Sequence, residues 1–417
     1  MVFRKREKVS LLAFGVHLGT INFMPEQGAN IRLKLILHVI FFLSGIATVM
    51  IGQVLPILAR QFSLNDLQVS YFFPAQFAGS MLGTLFTARF ARRDAQLMAA
   101  AVGGFAMVLG LLMINADVLQ FCLAGFFVNG LGIGLTLPSI NMTIIELESH
   151  RSGAALSILN FCWGVGAIIS KPFVDALSTA NSVGMTTVVL AIALLFPTVA
   201  LLLLRKSKLP SENRTGAGET NLSIWTTPLA WMIALFNFIH VGFESGIGGW
   251  LTTYTERVEG GNSVGWLSPT LLFFSFFVIG RGVAPLLFKR LDETKMLFIG
   301  LTIVLIGVII VLFAKDVGLL SIGAAVAGFG TSWIFPANIS RFSHAFGHAA
   351  IRKATPLFIC GTLGATFVTW LIGYVSERSG NLRSGMFVLA ASIILLIVLQ
   401  MILSMWQRGK VNSRQSI

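Results

Sequence analysis

Charged residues are scarce in this chain of 417 residues. Asp, Glu, Lys and Arg together make up 11% of it, against about 25% in a typical soluble domain. So few charges cannot solvate the surface of a water-soluble protein of this size. Hydrophobic residues make up 55% of the chain, and its mean hydropathy is +0.83. The composition therefore predicts an integral membrane protein.

Cysteines are few, and recognisable enzyme motifs are lacking. The three cysteines, Cys122, Cys162 and Cys360, lie in apolar stretches without CxxC spacing or a neighbouring histidine. They are expected to be buried free thiols rather than disulfide, metal or nucleophile positions. The sequence contains no Walker loop, zinc spacing or nucleophile elbow. It therefore predicts no enzyme, no cofactor, no metal site and no ATP-driven pump.

Long apolar stretches are present instead, and twelve of them can be marked. A bilayer core of ~30 Å takes about 20 residues of helix. The polar segment 205–226 is predicted to be a cytoplasmic central loop between six-helix halves at 36–204 and 227–406, with a cytoplasmic leader at 1–35 and a cytoplasmic tail at 407–417. The spans are expected near 36–58, 70–90, 96–114, 118–141, 153–178, 183–204, 227–254, 267–288, 295–313, 317–338, 355–374 and 384–406.

Positive charges are spread unevenly over the loops between these spans. With the N-terminus in the cytoplasm, the cytoplasmic side holds 23 Lys and Arg and the opposite side holds 5; 2 more lie inside spans, which accounts for all 30. Cytoplasmic loops of membrane proteins carry such an excess. The sequence thus predicts a multi-pass protein of the inner membrane with both termini cytoplasmic. The net charge of +13 reflects this topology, so the lipid bilayer and not nucleic acid is the predicted partner.

An internal repeat relates the two halves. ARRDAQLM at 91–98 aligns with KRLDETKM at 289–296, and GLGIGLTLPS at 130–139 aligns with GFGTSWIFPA at 328–337. Both alignments have an offset of 198 residues. A shared offset indicates duplicated halves in the same orientation, related by an axis along the membrane normal. The predicted fold is all-α, with twelve transmembrane helices in two parallel six-helix repeats.

Two parallel six-helix halves, basic loops after spans two and eight and a long central loop together resemble the major facilitator superfamily across the whole chain. The loops FARRDAQ (90–96) and FKRLDETK (288–295) look like degenerate copies of the acidic and basic loop of that superfamily. The full glycine-Asp-Arg-x-Gly-Arg-Arg form is missing. The resemblance implies alternating access between the halves, with Arg93, Asp94 and Asp292 as gate residues.

Within the superfamily, the chain looks most like the fucose/proton symporter family, which includes bacterial glucose and mannose transporters. The fucose symporter has a carboxylate in the middle of helix one, where this chain reads IATVMIGQV (46–54). It has a glutamate before the Asn of helix four, where this chain reads LTLPSIN (135–141). Neither acid is carried over. The similar segments are QFAGSMLG (76–83), NFCWGVGA (160–167), HVGFESGIGGW (240–250), FFVIGRGVAP (276–285), GFGTSWIFPANIS (328–340) and LFICGTLGATFVTWLIGYVSERSG (357–380).

Glu244 is an acid deep within span seven, roughly 25 Å from the cytoplasmic end. It matches the helix-seven glutamate of the glucose-type members of that family. An ionisable side chain within a span usually faces the bundle interior or a wet cavity. Glu244 is therefore predicted to bind substrate, to couple ion movement, or both, with a structural carboxylate as the alternative. His240 lies four residues earlier on the same helix face and is a candidate for proton sharing, with a buried hydrogen-bonded histidine as the alternative.

Arg281 in span eight matches the Gly-Arg of the same family. It is expected nearer the cytoplasm than Glu244, so a direct ion pair of the two is not expected. Gly280 and Gly282 let neighbouring backbone come close, which suits a gate contact on the cytoplasmic side. A gate or structural anchor is preferred for Arg281, with substrate binding as the alternative.

Amide and aromatic side chains within the spans are candidate sugar contacts. Amides offer a donor and an acceptor to hydroxyl groups, and a ring packs on the apolar face of a sugar. Each of them singly is more often a helix-packing residue. Gln76 and Asn160 rank first because they match family motifs. The substrate-binding candidates are Gln76, Asn160, Trp163, Asn141, Asn237, Glu244, Trp250 and Asn338.

The sequence as a whole predicts a secondary active transporter of a small polar solute, with a monosaccharide preferred. Coupling to protons is expected, with sodium as the alternative, in a protein that acts as a monomer. A drug or metabolite exporter of the same fold is the first alternative, and its cavity would have a more apolar lining. A non-transporting sensor or a membrane enzyme is less favoured, because no cluster of polar catalytic residues is found at one interface.

Overall fold

The fold is known from a computed structural model, which describes residues 25–91, 95–148, 152–204, 224–258, 268–346 and 354–415. Every regular element assigned within these ranges is a helix, so the predicted all-α class is confirmed. A short 3-10 helix, Ile224–Thr226, precedes α8. The α-helices are α1 (Pro25–Gln61), α2 (Asp66–Ser70), α3 (Phe72–Ala91), α4 (Gln96–Ile114), α5 (Leu119–Leu147), α6 (Ser152–Leu177), α7 (Gly184–Leu204), α8 (Pro228–Val258), α9 (Pro269–Phe288), α10 (Glu293–Phe313), α11 (Val317–Thr331), α12 (Ile334–Phe346), α13 (Thr355–Ser379) and α14 (Leu382–Gln415).

The helices follow the twelve predicted spans in order. Within the described ranges, 11 helical segments are long and apolar enough to cross a membrane, and α3, with 20 residues, occupies the remaining predicted span. Several helices run past the predicted ends: α1 begins at Pro25 instead of 36, and α5 ends at Leu147 instead of 141. Hydropathy marks only the apolar part of a helix, whereas backbone hydrogen bonds continue into polar sequence.

Two helical regions of the chain are interrupted, so that each consists of two helices. The chain leaves the helix near Tyr71, between α2 and α3, and near Ser332, between α11 and α12. Ser70 lies four residues before Pro74, and Ser332 lies four residues before Pro336. Proline has no N–H, and its ring clashes with the carbonyl four residues earlier. Each helix therefore restarts at the turn that contains the proline.

Equivalent helix contacts occur in the two halves. α1 packs on α6 as α8 packs on α13, and α3 packs on α5 as α9 packs on α11. Glycines permit the closest approaches: a Cβ on Gly166 would lie 2.1 Å from the carbonyl oxygen of Phe42, and one on Gly364 would lie 1.8 Å from that of Phe238. Gly166 and Gly364 are 198 residues apart. The packing thus repeats with the offset of the sequence.

The outer surface of the bundle is apolar. Phe196, Leu203 and Met405 are 71%, 77% and 71% exposed, and each lies on a helix of an apolar span. Large apolar surfaces of this kind mark contact with something other than water. The chain is therefore a multi-pass membrane protein.

The two halves meet at one end of the bundle, which we call the closed end; it holds α2 and the C-terminal ends of α1, α8 and α13. Asp66 of α2 accepts hydrogen bonds from Arg257 of α8, with an Nη1 to Oδ2 distance of 2.8 Å, and from Ser376 of α13. Arg60 of α1 donates to Glu256 of α8 at 2.7 Å. These side chains link the two halves. The opposite end, where α1 and α8 begin, is called the open end.

Asp66→Asn is expected to loosen the closed end. An amide cannot offer both N–H groups of Arg257 a charged acceptor, and partly exposed ion pairs contribute up to about 1 kcal/mol. A loss of this size corresponds to roughly a fivefold rise in the fraction of molecules whose two halves have separated at the closed end. Spin labels at Asp117 and Lys315, exposed residues at this end of the two halves, report the population through their separation.

Asp175→Asn is the matched control for this measurement. Asp175 is an exposed acid near the closed end that pairs with Lys171 of its own helix, α6. Its removal should leave the label separation as in the wild type. Identical distance distributions for the wild type and Asp66→Asn would show that the Asp66 contacts do not hold the two halves together.

Candidate functional site

Two contacts near mid-length of the helices close the space between the halves, and we call them the floor. In the first, α1 lies on α8: a Cβ on Gly52 would lie 2.5 Å from the carbonyl oxygen of Gly248. In the second, α6 lies on α9: a Cβ on Gly164 would lie 2.7 Å from the Val278 side chain. Glycine at these positions lets helices of opposite halves touch. The floor therefore separates the closed end from the open end.

The N-terminal half presents two polar side chains one helical turn from the floor toward the open end. Residues three or four apart share a helix face, so Thr48 of α1 shares the face of Gly52. By the same rule, Asn160 of α6 shares the face of Gly164. Thr48 is half-buried and Asn160 is exposed, although both lie within spans.

The C-terminal half presents two charged side chains at the same level. Glu244 of α8 lies four residues before Gly248, and Arg281 of α9 lies three residues after Val278. Both are half-buried. Because each shares a face with a floor residue, both point toward the other half. We infer that the halves separate on the open-end side of the floor, where these four side chains line an opening between them.

Glu244 and Arg281 give this opening one acidic and one basic residue. They lie on neighbouring helices, α8 and α9, yet the ion pairs of the described residues include none between the two. The Arg281 guanidinium carbon lies 4.1 Å from the centre of the Phe277 ring. Its Nε is buried without a hydrogen-bond partner among the described groups. With no ion pair to Arg281 among the described groups, the Glu244 carboxylate is available to a proton or a solute hydroxyl group.

His240 faces a different neighbour. It is 1% exposed, and its Nε2 lies 3.0 Å from Oγ1 of Thr331 on α11. Its Nδ1 is buried and has no hydrogen-bond partner among the described residues. The imidazole is therefore directed at α11, and the described hydrogen bonds of His240 do not include Glu244.

Three of the predicted amides bind backbone carbonyls of neighbouring helices. Gln76 donates to α1 at 2.9 Å, Asn237 to α13 at 2.9 Å and Asn338 to α8 at 3.3 Å. They are 1–2% exposed. In this conformation they join helices within one half and do not reach the opening. Asn160 differs from the other amides among the substrate-binding candidates, because its side chain is exposed.

The other predicted residues lie nearby or outside the described ranges. The Trp250 indole donates to the Thr369 carbonyl at 2.9 Å. Trp163 and Asn141 are half-buried, and Nε1 of the first and Oδ1 of the second are buried without partners among the described groups. Arg93 and Asp94 lie outside the described residues, and their gate role stays a prediction.

Asp292 caps a helix at the open end. Its Oδ1 accepts the backbone N–H of Lys295 at 2.8 Å, at the start of α10. This N–H stabilises the carboxylate, so the pKa of Asp292 lies below its usual value. The cap fixes the carboxylate at the α9–α10 turn, where its gate role stays a prediction.

Sequence reasoning missed two buried or lining residues. Thr48 carries no motif, and only its spacing from Gly52 identifies it. Arg341 lies beyond the predicted end of the tenth span at 338, but the structure places it in α12, where it is 4% exposed. Its guanidinium donates to Oε1 of Gln400 at 2.6 Å and to Asn338, and it lies over the ring of Phe236. This buried cation joins α8, α12 and α14 away from the opening.

Comparison with known families decides the affiliation. The family model described as Major Facilitator Superfamily matches residues 37–355, which is more than half of the chain. The chain belongs to the major facilitator superfamily. The resemblance to the superfamily and the predicted architecture are thereby confirmed.

Several superfamily members resemble the chain more specifically. The sodium-dependent glucose transporter 1 of Xenopus laevis is 24% identical over 305 residues, which are 65% of this chain and 60% of that protein. A point mutant of the nucleoside transporter NupG matches with a TM-score of 0.76 and 12% identity over 89% of this chain and 99% of that one. A point mutant of the E. coli fucose:proton symporter FucP matches with a TM-score of 0.59 and 20% identity over 90% of this chain and 99% of that one. The chain thus spans about 60% of the length of its first curated relative, and the structural likeness concerns the fold.

Proposed function

We propose that this superfamily member carries a monosaccharide across the inner membrane and couples its movement to protons. The observation that supports this most is the opening between the halves, lined by Thr48, Asn160, Glu244 and Arg281. Hydroxyl, amide, carboxylate and guanidinium groups offer a polyhydroxylated solute both donors and acceptors. A drug exporter would need a more apolar wall at this level. The similarity to a glucose transporter and a fucose symporter supports the same solute class.

Alternating access gives the two ends of the bundle their roles. The excess of Lys and Arg supports an orientation with both termini and the open end in the cytoplasm. The conformation described above is then inward-open, with Glu244 and Arg281 reachable from the cytoplasm. Breaking the Asp66 contacts and separating the floor would expose the same level to the outside. The chain moves a solute in this scheme and transforms none.

Glu244 is the proposed coupling group. A carrier driven by protons needs a group whose affinity for a proton differs between its two access states, and one pKa unit corresponds to 1.36 kcal/mol. A carboxylate whose hydration and charged neighbours change between states meets this need. Arg281, a cation on the neighbouring helix α9, would respond to the loss of the Glu244 charge. Solute hydroxyls would bind Asn160 and the free carboxylate oxygens.

A binding screen tests the solute class. Purified protein in detergent is heated with single monosaccharides, nucleosides and dipeptides, and the melting temperature is measured. A bound ligand raises the melting temperature because it binds the folded state only. We expect a rise with at least one monosaccharide, a smaller rise in Asn160→Ala, and an unchanged rise in Ile158→Ala, a surface control that is 58% exposed. A rise with nucleosides or dipeptides and none with monosaccharides would contradict the proposed class.

A further inference from the structure

Three helices of the N-terminal half meet around two buried amides. A Cβ on Gly130 of α5 would lie 1.9 Å from the carbonyl oxygen of Gln76 on α3, so the two backbones touch. Asn129 is the residue before Gly130. The side chains of Gln76 and Asn129 therefore start from neighbouring backbone positions, and both reach α1. They are 2% and 0% exposed.

The amide nitrogens are fixed by consecutive carbonyls of α1. Nε2 of Gln76 donates to the Thr48 carbonyl at 2.9 Å, and Nδ2 of Asn129 donates to the Ala47 carbonyl at 3.4 Å. A carbonyl oxygen accepts and cannot donate, so the NH₂ groups must lie on these carbonyls. The amide oxygens point elsewhere. Oε1 of Gln76 and Oδ1 of Asn129 are both buried and have no hydrogen-bond partner among the described residues.

The packing of this helix junction does not require amides. The internal repeat places Phe274 and Ala327 at the positions equivalent to Gln76 and Asn129, with the same offset of 198 residues. The corresponding close contact of α9 with α11 forms there too: a Cβ on Gly328 would lie 2.2 Å from the carbonyl oxygen of Phe273. The same junction thus forms with apolar side chains. Two buried oxygens without partners are unfavourable unless something binds them.

We propose that Gln76 and Asn129 form a binding site for a sodium ion. Oxygen atoms are the ligands that hard cations prefer, and here two uncharged, buried oxygens belong to amides whose nitrogens bind consecutive carbonyls of α1. The absence of a carboxylate from this pair favours a monovalent over a divalent ion. Thr48 belongs to that turn and is half-buried at the opening, which gives the ion a route inward. The site is separate from Glu244 and does not depend on the proposed solute.

Ion-specific stabilisation of the full chain in lipid nanodiscs tests the site. The melting temperature is measured in sodium, potassium and choline chloride at equal ionic strength, without any solute. We expect sodium to raise it by about 2 °C or more over the other two salts. Asn129→Leu and Gln76→Met remove one oxygen each and should abolish the difference. Because transport is not measured, the result is independent of the proton-coupling proposal.

Asn237→Leu is the matched control, because Asn237 is also a buried amide with its NH₂ on a carbonyl and its oxygen unpartnered among the described residues. It lies in the other half, where the described residues include no second amide with a buried, unpartnered oxygen, so the sodium effect should persist. Asn129→Asp keeps the oxygens and adds charge. It should lower the sodium concentration that gives half of the rise in melting temperature roughly tenfold.

Equal melting temperatures of the wild type in all three salts would overturn the proposal and leave a buried water as the occupant. A sodium effect that survives in both Asn129→Leu and Gln76→Met, or an unchanged half-effect concentration in Asn129→Asp, would overturn it as well.

Discussion

Glu244→Gln is expected to exchange solute between the two sides of a membrane but to lose accumulation driven by a pH gradient. Glutamine keeps the size of the side chain and most of its hydrogen bonding, while it removes the titrating group. With one proton per solute, a gradient of one pH unit supports up to about tenfold accumulation. The wild type should approach this ratio in proteoliposomes, and the variant should stop at equal concentrations inside and outside.

Glu377→Gln is the control, because Glu377 is an exposed acid on α13 at the closed end. It should accumulate solute as the wild type does. Accumulation retained by Glu244→Gln would contradict the coupling role and assign the proton to another group. Loss of exchange together with accumulation would make Glu244 a solute ligand instead.

Gly364→Ala is expected to lower the stability of the protein strongly, whereas Gly282→Ala should not. A Cβ at position 364 would lie 1.8 Å from the Phe238 carbonyl oxygen, so α8 and α13 must move apart; at position 282 nothing lies within 4 Å. Overpacking costs about 1–3 kcal/mol or more. Alanine in place of glycine within a helix otherwise contributes roughly 0.5–1 kcal/mol of stability. The two identical substitutions should therefore have effects of opposite sign.

Unfolding of both variants in mixed micelles, followed by circular dichroism, measures the difference. A Gly364→Ala protein as stable as Gly282→Ala would show that α8 and α13 do not approach as closely as described. That result would also remove the structural basis of the repeat, since Gly166 makes the equivalent contact between α1 and α6.

Much of the fold could be predicted from the sequence because lipid imposes simple rules. Helices must satisfy every backbone group internally and must be about 20 residues long, so hydropathy located the spans. The offset shared by Gly130 and Gly328 revealed the two halves. The breaks near Tyr71 and Ser332 were not predicted, although Pro74 and Pro336 signal them. Hydropathy averages over a window and does not register a missing N–H.

The site was harder to predict, because the side of a helix that faces inward leaves little trace in a membrane protein. Lipid-facing and inward-facing positions are both apolar, and helices associate without a hydrophobic driving force. Charge identified Glu244 and Arg281, since a charged side chain avoids lipid. Gln76 and Asn160 both matched family motifs, but only the structure shows that Gln76 is buried and Asn160 is exposed.

Accumulation of a radiolabelled monosaccharide by the wild-type protein, reconstituted in proteoliposomes, tests the central claim most directly. The sugar is one that raises the melting temperature, and a proton gradient is imposed in potassium buffer without sodium. The proposed function predicts that the internal concentration rises above the external one and returns to it when a protonophore dissipates the gradient. Uptake that stops at equal concentrations with the gradient intact would contradict proton coupling, and the absence of uptake would contradict transport of the sugar.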